Sequence, residues 1–324
     1  MRTVMAVLGL AGLALAIALV VREGVGAVLG VVFAAGWSLL AVVAYNAVPL
    51  LADAAAWRCL VSGSQRPSLL GTLGARWIRQ SVNQLLPVMQ IGGDVVGARM
   101  LHLAGVRGAE AGASVVVDLT LSGATQILFT LAGVALILAL FETEGMIWPV
   151  LGGTAFLASG LAGFVVVQRK GLFRFLARHL ETASGGMLAF VGSAEALDAA
   201  VRAVHARPRA LWCNAGLQLL GWCLGVGETW LACWVLGHPI GLVQAFILHS
   251  LVRAVRSAAF PVPAGIGVQE GSFMLLAGIV GLSPEIGLAV ALVKRVRELV
   301  SGVPGLIAWQ VIEGGRLWRH RTAE

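Results

Sequence analysis

The feature that most constrains this chain is a series of apolar runs long enough to cross a bilayer, at residues 4 to 21, 25 to 51, 111 to 140, 145 to 167, 210 to 236 and 286 to 312. One crossing of the hydrocarbon core takes about 20 helical residues, so these runs predict six spanning helices. The 324 residues then form a single transmembrane domain, 1–324, with no sizeable soluble domain left over. A charged fraction of 12% excludes a soluble globular protein, in which it is near a quarter. Two further apolar stretches, 69–104 and 240–281, resist reading as single spans, because each carries paired arginines followed by a Pro/Gly break. They read as re-entrant hairpins. The expected fold is all-α: a polytopic integral membrane protein with six spanning helices and two Pro/Gly-broken re-entrant hairpins.

The distribution of Lys and Arg sets the orientation, since cytoplasmic loops hold the excess. With the N-terminus inside, fifteen of the 23 basic residues fall on the cytoplasmic side, only Arg22 falls outside, and seven lie within the apolar stretches. The short outer loops carry Glu23, Glu142, Glu144 and Glu285 instead. Both termini are therefore expected on the cytoplasmic face of a bacterial inner (plasma) membrane. The one long polar connection, 168–209, predicts one or two amphipathic helices, with its basic residues turned toward anionic head groups or packed as a connector. Arg2 and the run from Val4 to Val21 resemble a signal peptide, but the run is long and lacks a small-x-small cleavage site, so an uncleaved first span is expected.

A net charge of +7 raises the question of nucleic acid. The arginines sit between apolar spans and not along a solvated stripe with interleaved aromatics, so no nucleic-acid partner is expected. Cys213, Cys223 and Cys233 fall ten apart on one predicted helix, about 15 Å between successive sulfurs. They cannot share a metal. The six histidines show no HExxH spacing. No metal and no cofactor are expected.

The two odd stretches resemble each other. Arg76-Trp-Ile-Arg79 leads to Asn83, Pro87, Gly92, Gly93 and Asp94; Arg253-Ala-Val-Arg256 leads to Pro261, Pro263, Gly265, Gly267 and Glu270. Pro87 to Asp94 and Pro263 to Glu270 are both seven residues, an offset of 176 that also sets Asp118 opposite Lys294. The arginines align only after a one-residue shift. In the topology above the first hairpin enters from the cytoplasm and the second from outside, which makes 1–141 and 145–312 two halves of an inverted-topology repeat. Broken segments at corresponding positions of inverted halves point to a substrate site near the bilayer midplane. Asp118 and Lys294, at equivalent depths, are expected to form a core charge pair.

Along the first hairpin, Arg76, Arg79, Asn83 and Pro87 recur at helical steps; on the second, His249, Arg253 and Arg256 do. Each arginine near the bilayer centre costs about 2.5 to 3.5 kcal/mol, so the four together cost on the order of 10 kcal/mol. Internal carboxylates (Asp94, Asp118, Glu228, Glu270, Glu298), water or an anionic ligand must offset this. Two readings follow: ion pairs that only hold the bundle together, and a head-group site between the hairpins, for which arginine's planar fork suits phosphate and carboxylate oxygens. The second makes Arg76, Arg79, Asn83, Asp94, Arg253, Arg256 and Glu270 the expected substrate-binding residues. Pro87, Gly92, Gly93, Pro261, Pro263, Gly265 and Gly267 break the helices. The glycines at 265 and 267 do not make a nucleotide loop, which needs a preceding strand and a soluble fold.

Arg76-Trp-Ile-Arg79-Gln-Ser-Val-Asn83-Gln-Leu-Leu-Pro87 with Gly92-Gly93-Asp94, and Pro261-Val-Pro263-Ala-Gly265-Ile-Gly267-Val-Gln-Glu270, are similar to the flippase-like transmembrane region of lysylphosphatidylglycerol synthases, over essentially the whole chain. The run from Gln80 to Pro87 and Ala-Ser114-Val-Val-Val-Asp118-Leu-Thr120 resemble most the branch associated with hopanoid biosynthesis. The resemblance implies an inner-membrane protein with two opposed re-entrant hairpins that moves a lipid between leaflets, an anionic or amphipathic one. Its expected partners are that lipid and membrane proteins of lipid biosynthesis. The full synthases carry a soluble aminoacyl-transfer domain after the membrane region; the chain ends twelve residues after Ile312, so that activity is expected to be absent and the protein a transporter, not an enzyme. The other class open to it is a lipid-modifying or accessory component of a biosynthetic complex, for which no convergent nucleophile or acid/base set is visible.

Overall fold

Backbone groups in lipid must be satisfied within the segment that carries them, and in the computed structural model helix makes up 88% of the described residues, with no strand among them. The structure describes residues 36–62, 66–86, 92–140, 193–259 and 267–321, and the side chains of these up to 314. The expected spans 4–21 and 145–167, residues 168–192 of the long connection, and Pro87, Pro261, Pro263 and Gly265 lie outside the described residues.

After a 3-10 turn at Gly36–Ser38, α1 (Leu39–Tyr45) and α2 (Ala47–Leu60) follow each other through Asn46, whose own N–H and C=O keep helical bonds at 3.3 Å to Val42 and Leu50. The first hairpin is α3 (Leu69–Leu85) and α4 (Gly92–Leu103), leading to α5 (Gly108–Leu140). Ser68 starts α3 by accepting the Gly71 N–H at 3.0 Å, the use for which serine is favoured before a helix. Then come α6 (Ala194–His205), capped by Ser193, and α7 (Pro208–Val235), opened by a proline whose missing N–H is harmless there. The second hairpin is α8 (Leu242–Ala258) and α9 (Val268–Ala277), leading to α10 (Pro284–Arg321). Gly267, at φ +75°, takes the left-handed turn into α9, and Glu270 accepts its N–H at 2.9 Å.

The packing has a reciprocal pattern. α2 lies along α7; α5 packs on the second arm of its own hairpin, α4, and on the first arm of the other, α8; α10 packs on α9 and on α3. Small residues permit the close approaches: Gly93 of α4 sits against Arg79 and Asn83, and Gly287 of α10 against the backbone of Phe273. Apolar and polar surfaces are distributed as lipid requires. Leu275 and Leu70 are 82% and 79% exposed, while Arg79 and Asp118 are 4% and 0% exposed, so the bundle turns apolar side chains outward and charges inward.

The spans differ in detail from expectation. Among the described residues two helices are both long and apolar enough to cross, Gly36–Leu60 and Gly108–Leu140. The first runs on to Leu60, beyond the expected end at 51, because Asp53 is not a terminus: its carboxylate meets Arg76 at 3.0 Å. The expected span 286–312 lies within the longer α10, whose Lys294, Arg295, Arg297 and Glu298 are all buried. α6 is present in the long connection, and its Leu197, Val201 and Val204 pack on Leu60 and on Ala113 and Val117 of α5.

Candidate functional site

A cavity of about 530 Å³ opens between the two hairpins, walled by α2, α3, α4, α5, α7, α8 and α10. Both arginine pairs reach it: Arg76 and Arg79 from α3, Arg253 and Arg256 from α8. Helical spacing explains why, since residues three apart share a face, and each first arm is held with that face inward by the long helix of the other half.

On the α3 side Asp118 is the hub. Its Oδ2 accepts from Arg76 at 3.0 Å and Arg79 at 2.7 Å, and its Oδ1 from Asn214 at 3.0 Å and Gln218 at 2.9 Å. Arg79 also donates to Asp94 at 2.6 Å and lies over the Trp57 ring, 5.1 Å from its centroid. The Trp57 indole in turn donates to Ser114 at 3.1 Å. Asn83 takes the Gly93 N–H at 2.8 Å and so ties α3 to the start of α4. Gly92 and Gly93 form the first turn of α4.

On the α8 side two carboxylates of different helices serve α10. Glu298 accepts from Arg256 and from Arg295, both at 2.8 Å, and Arg256 also donates to Gln269. Glu270 accepts from Arg295 at 2.7 Å. Glu228 of α7 meets Arg297 at 2.9 Å and Lys294 at 3.5 Å. Two guanidinium N–H groups of this side are buried without a partner, Nε of Arg253 and Nη1 of Arg297. Arg253 stacks on Trp222, 4.6 Å from the ring centroid.

Of the expected substrate-binding residues, Arg76, Arg79, Asn83, Asp94, Arg253 and Arg256 line this cavity. Glu270 does not. It lies behind the wall, one oxygen on Arg295 and the other on the Gly267 N–H, because its place in the first turn of α9 suits a capping carboxylate. The expected Asp118–Lys294 pair is also corrected: equal depth along two helices is not contact, and each residue has a nearer partner, Arg76 and Arg79 for Asp118 and Glu228 for Lys294.

Several cavity residues escaped the reading of the sequence. Asp53 was hidden inside an apolar run. Gln218, Gly221 and Gly225 line the cavity, with Asn214 just beyond on the same face of α7, in step with Glu228, which the sequence had already offered as an internal carboxylate. Their three- and four-residue spacing, a polar and small stripe in an otherwise apolar helix, was the available signal. Gln126 and Trp222 carried no such signal. Among the described residues no group of His, Cys, Asp or Glu is arranged to hold a metal ion.

The family model described as lysylphosphatidylglycerol synthase TM region matches residues 6–305, and the chain belongs to that family. It is a membrane protein of a family related to lipid handling. Comparison with the curated proteins and with the solved structures gave no match.

Proposed function

We propose, from that membership and from the cavity, that the protein moves an anionic or amphipathic lipid between leaflets, the head group passing through the chamber between the hairpins. The observation that carries this reading is that two arginine pairs from distant parts of the chain converge on one cavity in which buried guanidinium N–H groups remain unpartnered. An inert bundle would be served as well or better by apolar packing than by buried ion pairs. Ordered polar residues around a void are what a transiting head group requires.

An inverted repeat underlies the proposal. Its support is the likeness of the halves: first arms of 17 residues each, an acid at the third residue of each second arm, and the reciprocal packing of α5 on α8 and α10 on α3. In such halves the hairpins open on opposite sides, which is the geometry of alternating access. With the Lys and Arg excess inside, the protein sits in a bacterial inner membrane with both termini cytoplasmic.

We read it as a transporter and not an enzyme. His249, at the cavity wall, commits its Nδ1 to Thr229 at 2.8 Å, and Thr229 itself does not reach the wall, so that hydroxyl is not offered to a substrate. The hopanoid branch, suggested by Gln80 to Pro87 and Ser114 to Thr120, makes a hopanoid-related lipid and its biosynthetic membrane proteins the first partners to test.

Leaflet-resolved movement of labelled lipid in vesicles containing only this protein is the deciding measurement. Accelerated movement is expected. No movement under any ion gradient would replace the proposal with an accessory or lipid-modifying role in a biosynthetic complex.

A further inference from the structure

The inward-facing charges of the two hairpins and their neighbours do not balance. Asp53, Asp94 and Asp118 meet Arg76 and Arg79; Glu228, Glu270 and Glu298 meet Arg256, Lys294, Arg295 and Arg297, every one of these pairs within 3.5 Å. Six cations answer six carboxylates. A seventh cation, Arg253, has no carboxylate within ion-pair distance among the described residues, although it lines the cavity. Its Nε is buried and unpartnered, and what faces it is the Trp222 ring.

We propose that Arg253 receives the anionic oxygen of the substrate, and that the substrate head group carries one negative charge, of the phosphodiester type. This rests on the translocation reading for the identity of the ligand as a lipid. A single charge brings the cluster to neutrality; an uncharged head group leaves one arginine uncompensated in a low-dielectric interior, where that is most costly. The fork is already oriented. Trp222 covers one face, and Gln126 of α5 holds the Arg253 carbonyl at 3.2 Å and the Ser257 hydroxyl at 2.5 Å, fixing α8 at this level. The unpartnered Nη1 of Arg297 on the same cavity offers a second donor, and a phosphodiester has two non-bridging oxygens to meet two donors. Leu119 of α5, 41% exposed, and Ser257 of α8, also exposed, belong to the cavity lining. A lipid can seat its head group there and leave its chains along the α5–α8 seam.

Because Arg253 has no carboxylate, neutralising it orphans no acid. The test uses thermal unfolding of the full-length chain in detergent with four probes: dioctanoyl phosphatidylglycerol, dioctanoyl phosphatidylcholine, dioctanoylglycerol, and dimethyl phosphate as a free phosphodiester. Phosphatidylglycerol is expected to raise the Tm of the wild type and dioctanoylglycerol to leave it unchanged. Arg253→Gln should unfold no earlier than the wild type without lipid, yet bind phosphatidylglycerol more weakly by roughly tenfold or more, the loss of a charge-assisted hydrogen bond; Arg253→Lys should recover part of the binding. Equal binding by Arg253→Gln and wild type would overturn the proposal, as would a lipid-free Tm for Arg253→Gln as low as that of Arg256→Gln, which does take from Glu298 one of its two cationic partners. Phosphatidylcholine acting as strongly as phosphatidylglycerol would overturn the single-charge assignment. Dimethyl phosphate acting as strongly as phosphatidylglycerol would uphold Arg253 as an anion receptor and sink the lipid reading. A wild type that moves no lipid in vesicles would end the translocation reading alone, while the binding series still decides Arg253.

Discussion

At the scale of single residues, Asp118 is the group whose loss the protein can least absorb. It is fully buried and accepts four hydrogen bonds, two of them from arginines. Asp118→Asn removes the one carboxylate that Arg76 and Arg79 share, leaving Arg76 to Asp53 and Arg79 to Asp94, and is expected to destabilise the protein by about 3 to 5 kcal/mol, as breaking a buried pair does. Two double-mutant cycles, read by thermal unfolding in detergent, separate its partners. Asp118→Asn with Arg79→Met should show coupling above about 1 kcal/mol, and Asp118→Asn with Lys294→Met below about 0.5 kcal/mol, since only the first pair is in contact. Strong coupling to Lys294 would mean that the two halves meet in a state other than the one described. The Asp118 case also shows what a sequence offset conveys. Both residues are the eleventh of their helices, but which of several nearby charges a carboxylate contacts depends on helix rotation, and an offset carries no rotation.

At the scale of elements, the hairpins were the most legible part of the chain, since RxxR within an apolar stretch and a glycine break leave few alternatives to two short arms. α3, α4, α8 and α9 all fall inside 69–104 and 240–281. α10 was the least legible: its four charged residues at 294 to 298 are buried by contacts from three other helices, and nothing within 286–312 announces those contacts. The arms depend on glycine where they approach. A Cβ on Gly93 would fall against the Arg79 carbonyl and the Asn83 side chain, and one on Gly287 would lie 2.9 Å from the Ala277 Cβ. Gly93→Ala and Gly287→Ala are each expected to cost about 1 to 3 kcal/mol through overpacking. Gly216→Ala, on α7 with nothing nearby to meet its Cβ, should be neutral or slightly stabilising, as helix propensity alone dictates. Unfolding temperatures for the three variants check the set; a Gly93→Ala protein as stable as Gly216→Ala would mean that the arms are not in contact at this level.

At the scale of the whole molecule, the proposed opposite entry of the hairpins can be argued from α7. Its 28 residues extend about 42 Å, more than the roughly 30 Å of a hydrocarbon core, so in the proposed crossing its two ends emerge on opposite faces. The start of α7 is fixed beside the entrance to the first hairpin: Arg207 donates to the Leu60 carbonyl at 2.6 Å, and Arg58 to the Pro67 carbonyl at 2.8 Å just before α3. The end of α7 leads at once to His238 and the entrance to α8. On that proposal the first arms start from opposite faces, as an inverted repeat demands. Single cysteines replacing Arg66, Arg207 and His238, in a background whose four native cysteines have been removed, test this with a membrane-impermeant thiol reagent applied to sealed vesicles. Arg66→Cys and Arg207→Cys are expected to react from the cytoplasmic face, and His238→Cys from the opposite face only. Reaction of Arg66→Cys and His238→Cys from one side would require α7 to lie along the membrane instead of across it, and would remove the inverted repeat together with the alternating access built on it.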